Sequence, residues 1–144
     1  MEIALAAAEK AWREQGDVPV GAVILNPRGE IIATGVNKRE LDRDPTAHAE
    51  VVAIREAGKV LKNWRLDGCT LVVTLEPCAM CAGAIIQSRI SRLAFGAWDE
   101  KAGAVGSVVD LIRDPRALSK IEVISGVLAE RSSALLKEFF SNSR

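Results

Sequence analysis

One histidine and three cysteines are all the imidazole and thiol this chain has. Three cysteines, two of them in a Cys-x-x-Cys pair, do not make a disulfide framework; they point to free thiols in a reducing compartment, and so to the cytoplasm. Long hydrophobic runs are missing too: none approaches the ~20 residues needed to cross a bilayer. The first segment carries Glu2, Glu9, Lys10, Arg13 and Glu14 and is no signal peptide. Net charge is also absent, with 19 basic and 19 acidic side chains. That balance argues against a promiscuous nucleic-acid binder and leaves room for a local patch that recognises one folded RNA. Repeats, low-complexity tracts and linkers are not found. At 144 residues, 49% apolar and 26% charged, the sequence reads as one soluble domain, residues 1–144.

The apolar pattern predicts the elements in order. Met1 to Gln15 has Ile3, Ala6, Ala7, Ala11 and Trp12 at helical spacing, and Gly16-Asp17 ends it. Ala22–Leu25 and Ile31–Thr34 form a hairpin about the Asn26-Pro27-Arg28-Gly29 turn. A polar loop runs from Gly35 to Asp44. Asp44 then caps a helix that starts at Pro45 and reaches about Leu61. Thr70–Leu75 reads as a central buried strand. Glu76-Pro77 opens a helix to Ser88, and Arg92–Gly96 is a further strand. A short helix around Val108–Ile112, a strand Ile121–Ile124 and a closing helix Glu130–Phe140 complete the chain. A hairpin followed by strand–helix alternation implies an α/β fold of three layers, α/β/α, about a mixed five-stranded sheet.

Two stretches hold the scarce residues together. Asp44-Pro45-Thr46-Ala47-His48-Ala49-Glu50 contains the histidine, and Thr74-Leu75-Glu76-Pro77-Cys78-Ala79-Met80-Cys81 contains two of the cysteines. His48, Cys78 and Cys81 are a ligand set that suits one Zn²⁺, and three ligands leave the open position of a catalytic site. His48 and Glu50 do not share a helix flank, so the metal is expected beyond the tips of two helices, where first-turn side chains lean together. Glu50 is then the candidate catalytic base, handling protons for a water on the metal. Cys69 as a fourth ligand would close the site into a structural one; its place at a strand start, which would leave Glu50 idle, argues against that. These residues alone imply an open zinc site and a hydrolase acting on an amine.

His-x-Glu followed by Pro-Cys-x-x-Cys resembles the signature of the zinc-dependent nucleoside and base deaminases. The resemblance narrows along the chain. Val18-Pro19-Val20-Gly21-Ala22-Val23, Ser88-Arg89-Ile90, Phe95-Gly96-Ala97, the glycine loop from Lys101 to Ser107, and Leu135-Leu136 with Phe139-Phe140 are similar to the bacterial tRNA-specific adenosine deaminase family. It implies a cytidine-deaminase-like fold, a homodimer, and hydrolysis of adenosine to inosine at the wobble position of a tRNA anticodon loop. By the same resemblance Asn37 and the backbone N–H of Ala49 hold the flipped base, and Asp99 and Phe140 contact RNA. Asn37 has a second reading, since asparagine commonly caps its own turn. Asp99 can equally be a solvated loop carboxylate, and of the adjacent Phe139 and Phe140 only one can pack squarely in the core. Arg55, Lys59, Lys62 and Arg65 read as a solvated helix face or as a phosphate surface, and Arg144 is the terminal cation. Ala82–Ile86 is small and apolar enough for a dimer face or a core face.

Overall fold

In the computed structural model of the chain, which describes residues 1–143, five strands form one sheet in the order β2-β1-β3-β4-β5. Arg144 lies outside the described residues. The strands are β1 Gly21–Leu25, β2 Ile31–Val36, β3 Thr70–Leu75, β4 Arg92–Ala97 and β5 Glu122–Ile124, and the helices are α1 Glu2–Gln15, α2 Ala49–Leu61, α3 Ala79–Gln87 and α4 Ala129–Asn142. β1 runs antiparallel to both β2 and β3, whereas β3, β4 and β5 are mutually parallel. The sheet is therefore mixed, as expected.

Strand alternation sorts the core onto two faces. Ala22, Ile24, Leu71, Val73, Leu93 and Phe95 lie in one buried cluster with Ala49, Ala53 and Ala57 of α2 and Ala82 and Ile85 of α3. Val23, Val72 and Ala94, one register step away, pack with Ala4 of α1 on the other face. α1 also contacts α4. The result is the three-layer arrangement. Gly35 lets α2 lie close on the sheet, because a Cβ there would run into the Ala49 carbonyl and the Ala53 backbone. Gly16, left-handed at φ 81°, ends α1 by returning its N–H to Trp12.

Two expected boundaries and one expected helix are corrected. α2 begins at Ala49 and not at Pro45, because Asp44 does not cap it. The Asp44 Oδ1 accepts the N–H of Thr46 at 2.8 Å and its hydroxyl at 2.7 Å, folding residues 44–48 into turns. α3 likewise begins at Ala79, so Glu76 and Pro77 precede the helix. No helix forms at Val108–Ile112. The Gly106 N–H bonds to the Val109 carbonyl and Val105 bridges Asp110, closing a tight turn about Gly106 at φ 132°.

Candidate metal centre and catalytic pocket

The two late helix starts decide the site. His48 (φ −70°, ψ 154°) is the extended residue capping α2, and Cys78 (φ −76°, ψ 177°) holds the same position on α3. Neither ligand is inside a helix, so neither is committed to a helix flank. Cys81, in the first turn of α3, is fully buried. His48 Nδ1 stands 3.6 Å from the Cys78 Sγ and 3.5 Å from the Cys81 Sγ. The three donor atoms lie within 4.8 Å of one another, and they form the only such group found among the described residues. Tetrahedral bonds of about 2.3 Å to sulfur and about 2.05 Å to nitrogen would separate the two atoms by about 3.6 Å. The observed spacing fits zinc. Cys69 is buried one residue before β3 and is not part of the group.

Charge in the cluster favours a cation. The hydrogen bonds from Cys81 and His48 hold the Cys78 thiol down at about 3, against its burial. The bond that Cys81 gives to Cys78, then burial and the nearby Glu50, push Cys81 well up. A metal ion held here would let both sulfurs be thiolates. Glu50, the second residue of α2, is 4% exposed, and burial raises its carboxyl above the ordinary glutamate range. That is the environment a carboxylate needs to take a proton and give it back.

Next to this cluster is a pocket of about 240 Å³ whose lining includes His48, Ala49, Glu50, Cys78, Asn37 and Asp99. Asn37 is held on both sides. Its Nδ2 donates to the Val18 carbonyl at 3.3 Å and its Oδ1 accepts the Arg39 N–H at 3.1 Å. It does cap its own loop, and it lines the pocket as well. Asp99 caps its loop through the N–H groups of Lys101 and Ala102 while facing the same pocket.

Residues 1–97 match the cytidine and deoxycytidylate deaminase zinc-binding region. The chain belongs to this family. It is 47% identical over 144 residues to the tRNA-specific adenosine deaminase of Bacillus subtilis, covering 100% of this chain and 88% of the relative. A solved structure from studies of A-to-I editing by tRNA:A34 deaminases is 44% identical, with a TM-score of 0.89 over 94% of this chain and 97% of that one. A guanine deaminase from Nitrosomonas europaea is 30% identical, with a TM-score of 0.81 over 97% of this chain and 82% of the other.

One buried carboxylate in this deaminase went unread in the sequence. Glu76, read there as a helix start, is 2% exposed and follows β3. It accepts the N–H of Asp99 at 3.0 Å, of Val105 at 3.0 Å and of Ser107 at 3.1 Å, together with the Ser107 hydroxyl. Burial alone would raise its carboxyl, but the Ser107 hydroxyl and the three N–H groups outweigh burial and hold it below the usual glutamate range. Gly103 lies directly on the carboxylate, where a Cβ would collide with it. Asp17 does the same for the other loop: it is buried and takes the N–H groups of Glu40 and Leu41 at 3.0 and 3.1 Å. No spacing rule singles out such loop anchors; only the fold brings their donors together. Val18, Val20, Leu75 and Arg39 complete the pocket wall and were likewise not assigned to it from sequence.

The remaining residues sort plainly. Phe139 packs edge-on against Trp12 at 5.8 Å, and its neighbour Phe140 is exposed. Arg55, Lys59 and Arg65 pair with Asp44, Glu56 and Asp67, which favours the solvated-face reading for that run.

Proposed function

We propose that this chain converts adenosine to inosine at the wobble position of a tRNA anticodon loop, acting as a single deaminase domain over residues 1–144. The observation that carries this reading is the catalytic pocket's opening: it shares Val18, Leu75 and Asp99 with a larger groove along α4. A free base would be served by the pocket alone, whereas a nucleotide in a chain needs an exit for its neighbours. The full-length similarity to tRNA-specific adenosine deaminases supports the same substrate.

His48, Cys78 and Cys81 would hold a zinc ion, which when bound would supply a water acidic enough to lose a proton near neutral pH. Glu50 would take a proton from the attacking water and pass it to a ring nitrogen of adenine, then move the remaining proton from the C6 hydroxyl to the amine that leaves as ammonia. One water is consumed: its oxygen bonds to C6, the C6–N bond breaks, and the inosine oxygen takes the place of the amine. Asn37 keeps one amide hydrogen beyond its bond to Val18, and the Ala49 N–H, in the first turn of α2, has no partner within the helix. Both are free to hold the edge of the splayed base. Asp99 meets the ribose side of the nucleotide, and Phe140 the neighbouring RNA.

A homodimer in the cytoplasm is part of this reading. Met80, Gly83, Ala84 and Gln87 form an outward stripe on α3 in which none is buried, and Gly83 has open space where its Cβ would be. A stripe of small and apolar side chains at helical spacing suits close, two-fold helix contact. No helix among the described residues is long and apolar enough to cross a membrane.

The similarity to a guanine deaminase favours a second reading, a deaminase of free purine bases. Incubating the zinc-loaded chain with an anticodon stem-loop carrying wobble adenosine decides between them. Inosine on the RNA without turnover of free guanine, adenosine or cytosine is the expected result. Turnover of free guanine with an unchanged RNA would overturn it.

A further inference from the structure

Asp17 is a carboxylate only 1% exposed, one residue past the left-handed Gly16 that ends α1. The C-terminal end of a helix dipole disfavours negative charge, so α1 does not explain it. What holds the carboxylate is the loop after β2: its Oδ1 accepts the Glu40 N–H at 3.0 Å and its Oδ2 the Leu41 N–H at 3.1 Å. Arg39 stands immediately before these two amides, and the rest of its backbone is fixed as well. Its N–H goes to the Asn37 Oδ1 at 3.1 Å, and its carbonyl accepts the Asp44 N–H at 3.1 Å. Asn37 in turn is tied to the segment after Asp17, through the Val18 carbonyl at 3.3 Å and the Val20 carbonyl at 3.0 Å. Arg39 is the one lysine or arginine lining the catalytic pocket among the described residues. Its guanidinium meets Glu40 only at 3.9 Å, and 48% of its side chain is open to solvent.

A weakly paired guanidinium in the wall of a nucleoside pocket, on a backbone held from three sides, is an anion contact aimed in advance. We propose that Asp17 is a positioning residue for substrate binding, acting through the Glu40 and Leu41 N–H groups to aim Arg39 at a phosphate of the bound RNA. The inference rests on the RNA reading of the catalytic pocket. Asp17 is not among the residues that line that pocket, so its effect passes through the loop. Releasing its clasp leaves Arg39 charged but free to point elsewhere, and part of the contact is then spent on ordering it. The loss falls on binding and not on the proton steps at Glu50.

The test measures kcat and KM on a wobble-adenosine stem-loop at several salt concentrations. The proteins are the wild type, Asp17→Asn, Arg39→Gln and the two substitutions combined, with zinc content and melting temperature as folding controls. Arg39→Gln raises KM roughly 10- to 100-fold, the worth of one hydrogen bond to a charged group. It also makes the slope of log KM against log salt shallower by about 0.7, as one lost phosphate contact requires. Asp17→Asn keeps the side chain's shape but turns an amide donor towards one of the two N–H groups. Its KM rises about 3- to 10-fold with kcat little changed, the worth of one loop hydrogen bond, and its salt slope is shallower too. The combined variant is no worse than Arg39→Gln, because Asp17 then has nothing to aim. Asp17→Ser, which brings no amide donor, takes the place of Asp17→Asn if that protein loses zinc or melts early; the same failure in both makes Asp17 a residue of the fold alone and overturns the proposal. An unchanged KM for Asp17→Asn overturns it, as do losses that multiply in the combined variant or a fall in kcat at unchanged KM. A wild type that leaves the stem-loop unedited sinks the RNA reading itself; an active wild type with an indifferent Asp17→Asn sinks the Asp17 assignment alone.

Discussion

The Glu76 carboxylate holds the backbone N–H of Asp99 at 3.0 Å. The strand that leads into the zinc cysteines thereby also sets the loop that walls the catalytic pocket. The cysteine-bearing segment and the pocket wall are registered through one buried side chain.

Glu76→Gln removes the charge and places an amide where only acceptors are wanted. The cost is expected at about 2–4 kcal/mol of stability, from weakened charge-assisted bonds and a mismatched buried donor. Hydrogen exchange should quicken at the Asp99, Val105 and Ser107 amides, and KM should rise while zinc content stays at one per subunit. Unchanged exchange at those three amides would show that the loop holds itself.

Glu50→Ala separates proton transfer from metal binding, since Glu50 is not a ligand. Zinc content by mass spectrometry should match the wild type, and deamination should fall by about 10²–10⁴-fold or more. A fully active variant would remove Glu50 from the reaction.

Cys69→Ala should keep zinc and activity and lose only about 1 kcal/mol from a small buried cavity. Cys81→Ser should release the metal. Chelation of the wild type should lower its melting temperature, because zinc binds only the folded arrangement of His48, Cys78 and Cys81. Zinc lost from Cys69→Ala would make Cys69 a ligand after all.

Acid should loosen the turn that delivers His48. The Thr46 hydroxyl and N–H, with Arg55, hold the Asp44 carboxyl below its usual value. A carboxyl depressed in the folded state stabilises above its unfolded pKa, and that contribution is lost as pH falls through the folded value. Melting temperatures of the chelated protein should therefore drop below about pH 4, and Asp44→Asn should show a smaller drop over the same range. Parallel curves for the two proteins would exclude Asp44 as a source of the acid sensitivity.

The zinc ligands and the layered fold were legible early because each depends on few residues at short range. Cys78 and Cys81 sit three apart, and strand alternation at Leu71, Val72 and Val73 follows from pleat geometry whatever the neighbours are. The starts of α2 and α3 were placed too early. Asp44 and Pro45 carry a helix-start pattern, but the Asp44 oxygen satisfies Thr46 locally, and local capping chemistry serves a turn as well as a helix. The helix expected at Val108–Ile112 failed for a related reason: apolar residues there close a turn about Gly106 against a loop that Glu76 already holds.

What the sequence by itself determined is the chemistry of the site: one imidazole and two thiols, a carboxylate two residues from the histidine, and the periodicities that make layers. Ligand identity and side-chain period are properties of residues and their near neighbours. What only the tertiary structure decided is where that chemistry opens. His48 and Cys78, 30 residues apart, become the caps of two helices that meet at one point. Glu76 gathers donors from 23 to 31 residues away. Trp98 and Phe140 come to line one groove. Such convergence depends on how the layers pack over long separations, where no local spacing records which side chains will face each other.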